Sequence, residues 1–260
     1  HSLPFRLTGA QIRALTAIAG DLDATKPMRR LLLGDVGSGK TVVALAAAVR
    51  AAASGRQCAF LAPTSILAEQ HAVTASRFLA EQGVRYALLT AATPEKERVR
   101  LLASVAAGET ALLLGTHALL ERDLEFHALG LVIVDEQHRF GVRQRVALAQ
   151  RGEEGKGPHL LVLTATPIPR SLAMTLYGDL DLSPLDEKPP GRTPIETTIA
   201  SGVARDVLPR ILRRELDQGG SAFVVYPVVE VSEKLDLKAA TEMAASLAAH
   251  GDLRDAGVTL

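Results

Sequence analysis

The sequence has no tryptophan and a single cysteine, and aromatic residues make up only 3% of it. One cysteine excludes an intramolecular disulfide and fits a reducing compartment, hence the cytoplasm. Cys58 lies in an apolar run, where burial rather than reactivity is the expected role. With few aromatics the core must be aliphatic, which suits a parallel sheet of Val, Leu and Ile under Ala-rich helices. No apolar run approaches the roughly 18 residues that a membrane span needs, and no signal peptide is visible. Charge of one sign is lacking too, with 29 Lys and Arg against 29 Asp and Glu. A neutral total neither supports nor excludes a nucleic-acid partner, because a local basic face can hide inside it. What remains is a 260-residue chain, 47% hydrophobic and 22% charged. That is enough for one large or two ordinary domains with a sizeable core. The chain begins with His1 rather than Met, and Val258 to Leu260 read like a strand just starting. The expectation is an excised or incomplete piece of a longer protein.

Short apolar runs alternate with helical patterns. The runs are 30–34, 58–63, 86–90, 111–116, 129–135 and 159–166. Each is strand-length and continuously apolar rather than alternating, as expected for strands covered on both faces. The Ala/Leu-rich stretches between them, such as Val42 to Ala53 and Ile66 to Glu81, are of helix length. This is the pattern of a doubly wound α/β fold with a parallel sheet. Right-handed crossovers then collect the strand ends, and any ligand, along one edge. The pattern breaks at 181–194, where Pro184, Pro189, Pro190, Gly191 and Pro194 forbid helix or central strand. The expected division is a first lobe at 1–182, a Pro-rich linker at 183–194 and an incomplete second α/β lobe at 195–260. The second lobe should carry helices near Val203 to Asp217 and Ala239 to Ala249.

The segment "LLLGDVGSGKTVVALAAA" contains G-x-x-x-x-G-K-T from Gly34 to Thr41, after a strand and at the start of a helix. That is the setting of a P-loop, which holds the phosphates of ATP. Gly34, Gly37 and Gly39 allow a tight turn that brings the backbone of Asp35, Val36 and Ser38 close to phosphate oxygens. The helix N-terminus adds favourable dipole charge. Lys40 reaches the β and γ phosphates, and the Thr41 hydroxyl ligates Mg²⁺. The alternative is a plain glycine-rich turn.

A second signal is "LVIVDEQHRF", an apolar run that ends in two carboxylates. Buried carboxylates are costly unless paired or bound to a metal. Downstream of a P-loop, Asp135 is placed as the Mg²⁺ carboxylate and Glu136 as the group that activates the attacking water. The alternative is a solvated strand end. A third strand end carries Thr164 and Thr166 in "LTATPIPR", which by itself is also ordinary turn material.

A P-loop, then D-E-x-H, then T-A-T in this order resembles the superfamily 2 helicases and translocases. The stretches "GDVGSGKT", "APTSILAEQH", "GTHALL", "DEQHRFGVRQR", "TATPIPRSLAMTLYGDLDLS" and "DEKPPGRTPI" resemble the bacterial RecG family of branched-DNA helicases over nearly the whole chain. The motor of transcription-repair coupling factors is the rival. It typically has a bulky aromatic where this chain has Ser38, and Glu where this chain has Gln137.

The resemblance implies two RecA-like lobes, the second incomplete, forming a DNA motor that works as a monomer on forks and junctions. It implies that Gln11 reads the adenine edge, with Phe5 packing near the base. Gln137 and His138 would relay the nucleotide state to Thr164 and Thr166. Pro63, Thr64, Thr116 and Arg170 would touch the DNA backbone, and Arg139, Arg143 and Arg145 would add phosphate contacts or couple the lobes. An N-terminal wedge domain and a later arginine finger would lie outside the chain, so the piece alone should hydrolyse ATP poorly. DNA rather than RNA is implied by the resemblance alone. Two other functions stay open: a translocase that displaces stalled RNA polymerase, and a nucleotide-gated DNA-binding module without turnover. Glu136 speaks against the last, since pure binding needs no water-activating base.

Overall fold

The computed structural model describes residues 5–79, 81–120, 123–135, 157–165, 180–187, 189, 197, 208–225 and 244–253. The chain forms two compact units, His1–Arg192 and Thr193–Leu260.

The first unit is built on a seven-stranded sheet with strand order β3-β4-β2-β5-β6-β1-β7. The strands are β1 (Arg29–Gly34), β2 (Gln57–Leu61), β3 (Tyr86–Leu89), β4 (Leu112–Gly115), β5 (Leu129–Asp135), β6 (His159–Thr164) and β7 (Asp181–Leu185). Every pairing is parallel. Helices α1 (Gly9–Asp23), α2 (Lys40–Ala53), α3 (Ser65–Leu79) and α4 (Glu95–Ala106) flank it. The apolar runs of the sequence are therefore β1 to β6, and the expected α/β fold is the observed one.

The runs lack alternation because each face of the sheet has its own core. Side chains on a strand alternate between faces. In β5, Leu131 and Ile133 join one cluster while Val132 and Val134 join the other. The first cluster packs Leu32, Phe60, Leu161 and Leu163 against Ala10, Ala14 and Ile18 of α1 and Val43, Ala44, Ala47 and Ala48 of α2. The second packs Ala59, Leu61 and Leu113 against Val105, Leu119 and Leu124. Alanines on α1 and α2 let the helices lie close to the leucine-rich sheet. Each fully buried leucine contributes about 1.5–3 kcal/mol, so both faces hold β5 in register.

The sequence misplaces one boundary. Ser183, Pro184 and Leu185, expected in the linker, are the end of β7. Proline cannot donate to a ladder, but among the described residues β7 is an edge strand that pairs only with β1, the setting where strand proline is tolerated. Ser183 and Leu185 are buried. Arg30 of β1 holds the strand, donating from Nη1 to Ser183 Oγ at 2.9 Å and pairing from Nε with Asp21 at 2.7 Å.

At the opposite end of the sheet His159 opens β6. The Met28 N–H donates to its Nδ1 at 2.9 Å, so that nitrogen must be unprotonated. Burial lowers the imidazole pKa below its ordinary value; the Asp21 charge raises it and Arg56 lowers it further. The unfolded chain then binds more protons than the folded one as pH falls below about 6.5. This contribution to stability is full above that pH and is lost as pH falls toward the folded-state value. Urea midpoints at about pH 7.5 and about pH 5.5 should therefore differ less in His159→Gln than in the unmutated chain; equal differences would count against this assignment.

In the second unit α5 (Leu208–Asp217) lies against a 3₁₀ turn at Gly251–Leu253, and Leu253 is buried. Residues 244–249 are helical and 220–225 carry no regular structure. These helices fall within the stretches expected from sequence; residues 203–207 and 239–243 lie outside the described residues.

Candidate functional site

The strand ends named by the sequence meet along one edge. Leu33 of β1 pairs with Thr164 of β6, and Leu163 pairs with Asp135 of β5. The C-terminal ends of β1, β6 and β5 thus lie side by side, with β6 between the other two.

The loop from β1 to α2 turns through Gly37 (φ 76°) and Gly39 (φ 85°), backbone angles that favour glycine. The Ser38 N–H donates to the Asp35 carbonyl at 3.1 Å, and the Val36 N–H to Asp35 Oδ1 at 2.8 Å. The Lys40 ammonium folds over the loop and donates to the carbonyls of Gly34 at 2.7 Å and Asp35 at 3.0 Å. Gly39 is the N-cap of α2, and no side-chain cap hydrogen bond is made there among the described residues. An uncapped N-terminus of this kind, with its positive dipole end, suits an anion. Gly34 is required by close approach, because a Cβ there would stand 2.5 Å from Ser38 Oγ and 2.9 Å from Leu185 Cβ. Val36 is 66% exposed at the loop tip, while Ser38 is buried.

Gln11 is placed against this loop. It is buried, and its Nε2 donates to the Ser38 carbonyl at 2.8 Å. Its Oε1 accepts from the Thr8 N–H at 2.9 Å, and Thr8 Oγ1 accepts from the Gln11 N–H at 3.2 Å. This capping box starts α1 and fixes the glutamine rotamer. A Cβ at Gly39 would fall 2.2 Å from Gln11 Nε2. Gln11 therefore braces the glycine loop, a contact sequence reasoning did not anticipate. Phe5 is about half exposed.

Asp135 is buried at the end of β5. His71 of α3 donates from Nε2 to its Oδ2 at 2.7 Å. The imidazole stacks on Phe60 of β2, with centroids 4.7 Å apart and planes at 25°. Sequence reasoning quoted His71 within "APTSILAEQH" but gave it no role. The available signal was spacing: Ala68, His71, Ala75 and Leu79 form the buried face of α3, which puts an imidazole among small and apolar residues.

Thr164 is buried at the end of β6. Pro63 and Thr64 follow β2, and Thr116 follows β4; these strands are neighbours. Thr64 starts α3, its Oγ1 accepting from the Leu67 N–H at 3.3 Å and its carbonyl from Ala68 at 3.0 Å. The Thr116 hydroxyl is buried and has no hydrogen-bond partner among the described residues. Glu136, Gln137, His138, Arg139, Arg143, Arg145, Thr166 and Arg170 lie outside the described residues.

The Thr41 hydroxyl at the start of α2 and the Asp135 carboxylate are hard oxygen donors. That pair fits Mg²⁺, which keeps several waters and takes one or two protein oxygens. No described helix is long and apolar enough to cross a membrane.

Known proteins resemble this chain in sequence and in fold. Residues 8–175 match the model of the DEAD/DEAH box helicase family. The chain is 48% identical over 240 residues to the ATP-dependent DNA helicase RecG of Synechocystis sp., covering 92% of this chain and 28% of that protein. It is 49% identical to the Bacillus subtilis protein of the same name, covering 93% of this chain and 35% of the relative. The chain thus spans about a third of the length of the curated relatives it matches. A solved structure of RecG bound to a three-way DNA junction superimposes with a TM-score of 0.80 at 42% identity, covering 95% of this chain and 32% of that one. The DNA-bound DUF1998 helicase MrfA, with a TM-score of 0.59 at 18% identity over 81% of this chain and 32% of its own, shares the fold.

Proposed function

This chain belongs to the DEAD/DEAH box helicase family, and we propose that it supplies the ATP-driven motor of a RecG-type helicase acting on branched DNA. The observation that carries this is the glycine loop closed over Lys40 at the start of α2, on the same sheet edge as the buried Asp135. In this reading the backbone of residues 34–39 and Lys40 hold the triphosphate, and Thr41 and Asp135 hold Mg²⁺. Bound Mg²⁺ would neutralise charge developing on the transferred phosphate. Glu136 takes a proton from the attacking water. Gln137 and His138 pass the nucleotide state to Thr164 and Thr166. Gln11 braces the loop and offers its remaining amide hydrogen to the base.

The first lobe then extends through Leu185, with the linker after it and part of a second RecA-like lobe at 195–260. Pro63, Thr64, Thr116 and Arg170 contact the DNA backbone, giving salt-sensitive and sequence-tolerant binding. The motor works as a monomer in the cytoplasm and regresses stalled forks. The 42% identity to a junction-bound structure supports branched DNA as the substrate.

The test is conversion of a labelled synthetic fork by the full-length natural protein with ATP and Mg²⁺. Regression of the fork into its reannealed duplexes is expected. Translocation along linear duplex without fork conversion would replace this reading with the polymerase-displacing translocase.

A further inference from the structure

We propose that His71 is a positioning residue for ATP hydrolysis, fixing the carboxylate of Asp135 through Nε2 so that Oδ1 alone remains for the nucleotide-bound cation. This deepens the reading above and rests on Asp135 being the cation's carboxylate.

The argument begins with the cost of Asp135. A buried carboxylate without a partner is expensive, and Asp135 is 9% exposed. His71, itself buried, meets that need at 2.7 Å. A carboxylate only accepts, so the hydrogen is on Nε2. Hydrogen bonds to an ionised oxygen are short and strong. The imidazole cannot swing away, because Phe60 covers one face of the ring and the ring stands on the inward stripe of α3. An aspartate at a strand end otherwise has a broad, soft terminal torsion. With Oδ2 held, the carboxylate plane is set before any nucleotide arrives.

The position of α3 gives this contact a second consequence. The helix starts at Ser65, directly after Pro63 and Thr64, and Thr64 bonds into its first turn. One rigid helix therefore joins the strand end proposed to touch DNA to the carboxylate proposed to hold the cation. Partners that orient a metal ligand without touching the metal typically contribute 10–100-fold to affinity or activity.

The test uses His71→Phe, which keeps a ring against Phe60 but has no donor, and His71→Gln, whose Nε2 has similar reach. In the full-length natural protein, His71→Phe should lower kcat for ATP about 10–100-fold. It should raise the Mg²⁺ concentration for half-maximal rate and leave KM for ATP nearly unchanged. His71→Gln should restore most of both. A readout without nucleotide or metal comes from urea unfolding: His71→Phe should lower the midpoint when residue 135 is Asp, but much less in an Asp135→Leu background. Wild-type kcat and Mg²⁺ requirement in His71→Phe, alongside loss of hydrolysis in Lys40→Ala, would overturn the proposal and leave the motor reading standing. A folded His71→Gln as inactive as His71→Phe would also overturn it. Absence of Mg²⁺-dependent hydrolysis in the unmutated protein would overturn both.

Discussion

Lys40→Ala should reduce steady-state ATP hydrolysis by the full-length natural protein on the order of 10²–10³-fold or more, with fork conversion lost in parallel. The ammonium lies over the loop at 2.7 Å from the Gly34 carbonyl and 3.0 Å from that of Asp35. In the proposed reading it is thus already at the loop before phosphate binds, and has little to reorganise during the reaction. A fixed cation is worth most where negative charge develops, because nothing has to move to meet it. Lys40→Arg should rescue little. The guanidinium is planar and wider, whereas the loop holds a compact ammonium on a flexible stem. Urea unfolding of the same variants separates lost chemistry from lost structure. Near-normal hydrolysis by Lys40→Ala would remove the phosphate-binding role from this loop.

Asp135→Asn should be the second large effect. The amide keeps the shape of the carboxylate and an oxygen for the His71 N–H, but not the charge. Hydrolysis should fall by a further order-of-magnitude range similar to that of Lys40→Ala, about 10²–10³-fold. ATP binding measured with Mg²⁺ chelated should be unchanged, and the gain in affinity on adding Mg²⁺ should shrink. The two substitutions therefore fail differently: Lys40→Ala weakens the hold on phosphate with or without metal, Asp135→Asn only with it. A variant that kept its Mg²⁺ response would show that the cation is held elsewhere.

The strands that build this site were legible because both sheet faces are covered. A two-sided core leaves continuous runs of Leu, Val and Ile, and β5 ends in a charge that an apolar run has no reason to carry. The loop was legible for a related reason, since its glycines, lysine and threonine act within eight consecutive positions, Gly34 to Thr41. β7 was hidden by Pro184. Its pairing depends on being an edge strand, which no local pattern announces, and on Arg30 reaching Ser183 across 153 residues. His71 was hidden in the same way, since its partner Asp135 is 64 residues away and only the packing of α3 brings the two together. For Gln11 the resemblance points to the base, and the bond from its Nε2 to the Ser38 carbonyl is an added contact that only the folded chain reveals. Short-range chemistry shows in sequence; contacts that wait for the sheet to form do not.

The most direct measurement is steady-state ATP hydrolysis by the full-length natural protein at fixed salt, with Lys40→Ala as the blank. A three-way DNA junction is compared with an equal mass of linear duplex and with structured RNA. Strong stimulation by the junction and weak stimulation by the other two is the predicted result. Equal stimulation by linear duplex, or ATP binding without hydrolysis on any of the three, would contradict a motor dedicated to branched DNA.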